Sequence, residues 1–273
     1  MQSTATEPQP LTVAPGEPIR LAYFDPRYKG DVKGKKAARK ELADNREALA
    51  RLGYRLYAES RRALLLVLQG MDTSGKDGTI RHVMRGFNPQ QCHVKSFKQP
   101  SIEELDHDFL WRIAKAQPPK GEIGIFNRSH YEDVLIVRVH DLVPESVWRR
   151  RYERINMFEQ LVAEGGTTLV KVFLHISRDE QRERLQARLD NPDKRWKLSR
   201  ADVKERAFWD DYQAAYEEAL TRCNTRDAPW YIVPADRKWY RNLIVSRLLR
   251  QTLERMDPQF PPAEPGIESL VIE

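Results

Sequence analysis

The sequence predicts an α/β fold, a parallel sheet sandwiched between helices, on three observations. Short apolar runs alternate with longer segments of helical periodicity along most of the chain, the pattern of parallel strands joined by helical crossovers. One run, Ala63 to Leu68, is apolar without a break, as a strand buried on both faces must be. That run leads directly into Gly70-Met-Asp-Thr-Ser-Gly75-Lys76, a spacing of glycines and lysine that belongs between a strand and a helix.

Residues 1 to about 20 are polar and Pro-rich, and a mobile tail is expected there. From about Lys35 to Ser60, Leu42, Leu49, Leu52 and Leu56 fall on one helical stripe with charges opposite. After the strand Ala63–Leu68 comes a helix from about Lys76 to Gly86, then a weak strand from His93 to Phe97. Ser101-Ile-Glu-Glu opens a helix with a capping box. Glu122 to Phe126 is a strand, Pro144 to about Ala163 a long helix, and Thr167 to Ile176, rich in Thr and Val, a strand. Ser177 starts a helix with Asp179 and Glu180 in its first turn, where the helix dipole favours them, and Asn191-Pro192 stops it. One further helix runs from about Ser199 to Arg222, followed by a strand from Trp230 to Val233 and a last helix from Trp239 to Met256. A single domain is therefore expected over residues 21–256, with a C-terminal tail at 257–273. Residues 191–200 lie between two helices and read as an insertion that moves.

The 273 residues suit one α/β domain with insertions. The formal charge of +6 fits a polyanionic partner without identifying one. No apolar run approaches the roughly 20 residues that span a bilayer. The first ten residues have neither the basic head nor the apolar stretch of a secretory leader. Cys92 and Cys223 lack CxxC or zinc spacing and read as reduced thiols. A cytoplasmic protein with no membrane partner is expected.

The stretch Gly70 to Thr79 matches G-x-x-x-x-G-K, a loop whose backbone N–H groups wrap phosphate oxygens. Gly70 and Gly75 permit the turn, Lys76 supplies a point charge, and the following helix points its positive end at the anion. Thr73, Ser74, Asp77, Gly78 and Thr79 are expected among the phosphate and nucleotide contacts. Asp77 stands where Ser or Thr would ligate Mg²⁺. Asp72, inside the loop, would repel a polyphosphate unless a cation lay between them. It reads as a Mg²⁺ ligand, as the group that orients an acceptor phosphate, or more simply as a cap on its own backbone.

A second cluster, Asn127-Arg128-Ser129-His130-Tyr131-Glu132, follows the strand ending at Phe126, at the sheet edge where α/β proteins bind ligands. P-loop kinases usually place an aspartate here for the metal; this chain has Asn127, so Asp72 and Glu132 are expected to carry more of that role. Arg128 is a planar fork suited to phosphate oxygens, or else a structural ion pair. His130 reads as a packed or surface residue. Arg188, Lys194, Arg195 and Lys197 fall on and beyond the Pro-broken helix end, and a basic lid at about 188–200 is expected to close over an anion. Arg182 and Arg184, on the same helix, read as solvated. Lys29, Lys33, Lys35, Lys36, Arg39 and Lys40 either track a long polyanion or are a solvated helix start.

Gly70-Met-Asp-Thr-Ser-Gly-Lys-Asp-Gly78, Phe126-Asn-Arg-Ser-His-Tyr131 and Asp193-Lys-Arg-Trp-Lys197 together resemble the family 2 polyphosphate kinases, over about Phe24 to Met256. The resemblance implies a thymidylate-kinase-like P-loop kinase fold with a helical lid. It implies reversible, Mg²⁺-dependent phosphoryl transfer between inorganic polyphosphate and nucleotides. A homo-oligomer that binds no nucleic acid is expected. It assigns metal and acceptor roles to Asp72, phosphate roles to Lys76 and Arg128, and a lid role to Lys194–Lys197. Asn127 with Glu132 resembles the subgroup that phosphorylates both AMP and ADP to ATP. Two other readings stay open. One is an ATP-dependent nucleoside monophosphate kinase, which Asp77 argues against. The other is a non-catalytic polyanion or nucleic-acid binding module, for which no RNP, zinc or helix-turn-helix signature speaks.

Overall fold

The computed structural model describes residues 11–272, so the tail expected at residues 1–10 lies outside it. Six strands form one sheet in the order β1-β6-β5-β2-β4-β3. They are β1 Leu11–Thr12, β2 Ala63–Gln69, β3 Cys92–Ser96, β4 Ile123–Asn127, β5 Thr167–His175 and β6 Trp230–Pro234. β2 to β6 run parallel; β1 is antiparallel against β6. Between them lie α1 Lys35–Glu59, α2 Lys76–Met84, α3 Ile102–Leu105, α4 Trp111–Lys115, α5 Ile136–Val139, α6 Glu145–Glu164, α7 Arg178–Asp190, α8 Arg200–Glu205 and α9 Trp209–Arg222, and α10 Lys238–Met256 follows β6.

The unbroken apolar run of β2 has its cause in this layering. Leu64, Leu66 and Leu68 join the cluster of Leu49 and Leu56 from α1 and Leu248 and Leu249 from α10. Leu65 and Val67, pointing the other way, pack with Phe97, Ile113 and Phe126. Each leucine so buried stabilises the fold by roughly 1.5–3 kcal/mol. Beside the sheet α1 and α10 lie together, joined by Arg247 on Glu41 and by Asn45 Nδ2 on Ser246 Oγ (3.0 Å). After β2 the chain crosses to β3 at one side, and after β4 it returns past β2 to β5 on the other, so a crevice opens at the carboxyl ends of β2 and β4.

Two expectations are corrected. Residues 11–20 are not a free tail. Leu11 and Thr12 pair with Ile232 and Tyr231, covering an edge that would otherwise be open. Ile19 is buried, and its N–H donates to Thr221 Oγ1 (2.9 Å). The helix expected from Ser199 to Arg222 is broken into α8, a tight turn at Arg206–Phe208, and α9. Arg206 pins the break by donating to Arg178 O (3.2 Å) and Gln181 Oε1 (3.0 Å) on α7. The short helices α4 and α5 carry too few residues to show a period in the sequence. No described helix is long and apolar enough to cross a membrane.

Candidate active site

The loop Gly70–Gly75 leaves β2 with its carbonyls held by protein donors. Lys76 Nζ donates to Gly70 O (2.7 Å), Gln181 Nε2 to Asp72 O (3.2 Å), and Arg184 Nη1 to Thr73 O (2.9 Å) and Ser74 O (3.0 Å). Arg241 Nη1 also donates to Ser74 O (3.0 Å). Across a trans peptide a carbonyl and the next N–H point oppositely, so carbonyls tied inward turn loop amides outward toward an anion. The Ser74 N–H is the exception, closing a turn on Met71 O (3.1 Å). Gly70 has φ +152°, and a Cβ there would lie 2.8 Å from the Leu174 carbonyl oxygen. At Gly75 (φ +105°) a Cβ would lie 1.7 Å from Arg241 Nη1, so that guanidinium fits only beneath a glycine.

Register places Asn127 beside Leu68 at the end of β2, which brings the second cluster against the loop. Arg128, held at φ +62°, donates from Nη2 to Asp72 Oδ1 (2.9 Å) and has Nη1 3.8 Å from Glu132 Oε2. The nearby Glu132 and Asp72 carboxylates, outweighing burial, push the Arg128 pKa above its ordinary value. Burial, and after it Arg128, pushes the Lys76 ammonium down to about 8. Asn127 Nδ2 donates to Asp77 Oδ1 (2.8 Å). The Gln69 amide, oriented by its neighbours, donates to Glu132 Oε1 (3.1 Å) and accepts from the Ser129 N–H (3.1 Å).

The turn carrying Arg128 is anchored from behind by a fully buried network. Lys171 Nζ, on β5, donates to Glu159 Oε2 (2.6 Å), Tyr131 OH (2.8 Å) and Cys223 O (2.6 Å). Tyr131 OH donates to Glu159 Oε1 (2.8 Å), and His130 Nε2 lies 3.1 Å from the same oxygen. Burial alone would raise the Glu159 carboxyl; Lys171 and His130 outweigh it and hold the group below its ordinary range. His130 is thus a packed residue.

Two cavities meet at this point. The larger, about 710 Å³, falls in the ~300–1,000 Å³ range of small-molecule sites. Its basic lining is Lys76, Arg81, Lys98, Arg128, Arg184, Arg188, Lys194, Lys197, Lys238 and Arg241, against Asp72, Asp77 and Asp202. Ten cations facing three carboxylates make it a site for a polyanion. The smaller is lined by Met71, Ile136, Tyr212 and Tyr216 with Glu132, Glu205 and Arg206. Asp72, Arg128 and Asp202 line both, and Asp72 with Arg128, joined by their ion pair, form the partition between them.

The other expected residues distribute unevenly. Thr73, Gly75, Asp77, Gly78, Arg188, Lys194 and Lys197 line the larger cavity, and Gly70 the smaller. Ser74 is buried, and the Thr79 hydroxyl bonds Gly75 O (3.1 Å), so both support the loop from within. Arg195 turns away, donating to Leu189 O (2.8 Å). Asn127 and Glu132 do not act on one site: the first faces the larger cavity, the second the smaller. Arg184 is not solvated. It is 8% exposed and also donates to Ala235 O (2.6 Å) and Asp236 O (3.0 Å), because four carbonyls converge on its fork. Gln181, Arg241, Tyr212 and Tyr216 went unread. Arg241 alone left a signal, a charge set among the buried apolar residues Leu243, Ile244 and Val245. Among the described residues no three His, Cys, Asp or Glu side chains converge as a metal cage.

A family model described as Polyphosphate kinase 2 (PPK2) matches residues 32–261. The chain is 51% identical over 265 residues to the AMP/ADP-polyphosphate phosphotransferase of Meiothermus ruber, covering 96% of this chain and 98% of that protein. It is 46% identical over 266 residues to the ADP-polyphosphate phosphotransferase of Rhodopseudomonas palustris, covering 93% and 92%. The crystal structure of polyphosphate kinase 2 from Arthrobacter aurescens TC1 superimposes with a TM-score of 0.91 at 45% identity, over 95% of this chain and 93% of that one.

Proposed function

The chain belongs to the polyphosphate kinase 2 family, and from that premise we propose that it moves phosphoryl groups reversibly between inorganic polyphosphate and adenine nucleotides, accepting both AMP and ADP. One observation carries the reading: a cation-lined cavity and a tyrosine-lined pocket share the Asp72–Arg128 partition. The polyphosphate end lies in the first, over the loop amides and Lys76. The nucleotide phosphate enters from the second. A terminal phosphate oxygen of the acceptor bonds to the terminal phosphorus in line as the P–O bond to the shortened chain breaks. No covalent enzyme intermediate is needed, since positioning and charge neutralisation lower this barrier. Lys76 and the loop amides face the charge that develops, Arg128 holds the two phosphates together across the partition, and the lid lysines 194 and 197 exclude water.

Mg²⁺ fits the donors present. It typically takes one or two carboxylates together with substrate phosphates, and Asp72 keeps an oxygen beyond the one that Arg128 engages. Asp72 is the assigned ligand; Asp77, also on the larger cavity, is its neighbour. When bound, the ion neutralises phosphate charge. A cytoplasmic setting fits the two free cysteines and nucleotide substrates. A homo-oligomer fits the exposed pair Met157 and Leu161, one turn apart on α6, which a second copy would cover.

The test mixes the purified chain, Mg²⁺ and polyphosphate with AMP or ADP in separate reactions and follows ATP. ATP from both acceptors is expected. Failure with polyphosphate alongside phosphorylation of AMP by ATP would replace this reading with an ordinary nucleoside monophosphate kinase.

A further inference from the structure

Against the carbonyls of the phosphate loop, two guanidiniums lie in each other's field. Arg184 has a carboxylate, Glu180 Oε1, at 2.7 Å. Arg241 has none. It is 3% exposed, and its fork ends on neutral oxygens: Nε and Nη2 on Asn242 Oδ1 (3.2 and 2.9 Å), Nη1 on Ser74 O (3.0 Å). A buried arginine ordinarily carries its counter-charge with it, because an uncompensated charge in the interior is strongly destabilising. Burial, and then the Arg184 charge, pushes the Arg241 pKa down to about 9, the mark of a cation held against its environment. Nothing about the helix requires the charge here, for the neighbours Leu243, Ile244 and Val245 are fully buried.

What the position does supply is contact with the donor site. Arg241 lines the larger cavity beside Gly75 and Gly78, and both glycines leave room for its fork. The helix α10 begins three residues earlier, at Lys238, which lines the same cavity.

We propose that Arg241 is a positioning residue whose missing counter-ion is the polyphosphate itself. Its guanidinium holds the Ser74 carbonyl from below, and its unpaired charge is satisfied when the phosphate chain occupies the loop above. The free protein thus keeps an electrostatic strain that polyphosphate relieves. The acceptor nucleotide, entering from the other pocket, does not relieve it. This rests on polyphosphate being the ligand of the larger cavity.

Two variants and two measurements test it. In Arg241→Met the buried charge is gone and the side chain remains long and apolar. In Arg241→Gln a donor to Ser74 O is retained without the charge. Thermal unfolding is followed with and without polyphosphate, and initial rates are measured with polyphosphate and acceptor varied in turn. Both variants are expected to unfold no earlier than wild type when ligand-free. They are expected to lose most of the polyphosphate-induced rise in Tm. Their KM for polyphosphate should rise at least about tenfold, the scale of one charge-assisted contact, with the acceptor KM within about twofold. A role confined to structure gives the opposite pattern: a lower ligand-free Tm, a lower kcat, and a wild-type polyphosphate KM and Tm shift. That result overturns the inference, as does loss of folding in both variants, since the charge would then be needed without its ligand. If wild type forms no ATP from polyphosphate, the functional reading fails instead, whatever the variants do.

Discussion

Lys76 combines two demands that pull against each other. On the proposed reading its ammonium is buried to meet phosphate in a dry site, yet burial disfavours the charge. With the pKa at about 8, the cation is lost as pH rises through that value, so kcat/KM for polyphosphate should fall above pH 8. The stability effect has the opposite sign. The unfolded lysine, with its ordinary value of 10.5, binds more protons than the folded one between pH 8 and 10.5. The penalty of burying the charge is therefore present below pH 8 and relieved across that window, which urea unfolding at pH 7.5 and 9.5 will read. Lys76→Ala should cost at least about a hundredfold in kcat, the scale of one preorganised contact to a transition state. A folded variant with near-normal turnover would remove Lys76 from the site. Between the carboxylates, Asp72→Asn should be the more damaging change and Asp77→Asn the milder. Asp72 sits on the partition, whereas Asp77 is exposed and bonded to Asn127. Asn127→Asp would set a second carboxylate against Asp77 at hydrogen-bond distance. It should lower the Mg²⁺ concentration needed for half-maximal rate, because paired carboxylates hold the cation more tightly, and change the ratio of AMP to ADP turnover. An unchanged ratio separates acceptor choice from this residue.

At the scale of elements, the turn after β4 depends on charges buried where no solvent reaches. Removing one partner of such a pair leaves the other stranded, so Lys171→Met should destabilise the fold by about 3–5 kcal/mol in denaturant titration. The double change Lys171→Met with Glu159→Leu should recover a large part of that loss, because no charge is then left unpaired. How far the sequence could be read at this scale depends on how local the cause was. β2, the loop and α2 were legible because strand, glycines and lysine are consecutive in the chain. The capping box at Ser101 and the cap at Ser177 were legible for the same reason. The break between α8 and α9 was not, because it is made by Arg206 reaching back to α7. Arg184 was misread as solvated because the four carbonyls that bury it come from the loop and from the end of β6, each more than forty residues away.

For the molecule as a whole, the larger cavity is a field as much as a set of contacts. Its cations come from α2, the end of β3, the turn after β4, α7, the lid and α10, and only the fold sums them. Raising ionic strength from 0.05 to 0.5 M should therefore raise the KM for polyphosphate far more than the KM for AMP or ADP. Equal salt dependence would mean that the two substrates share one field. The tyrosine-lined pocket was invisible in the sequence for a related reason: Tyr212 and Tyr216 reach Met71 only because α9 folds back over the sheet end. The wall of Asp72 and Arg128 has a kinetic corollary. The same side chains face both cavities, so on the proposed reading a phosphoryl group in transit passes them whether it leaves the chain or the nucleotide. A change in the wall leaves the equilibrium constant where the substrates alone set it, so the forward and reverse kcat/KM terms must shift together. The enzyme is a valve without a bias, and flow through it follows whichever reservoir, mineral or nucleotide, stands higher.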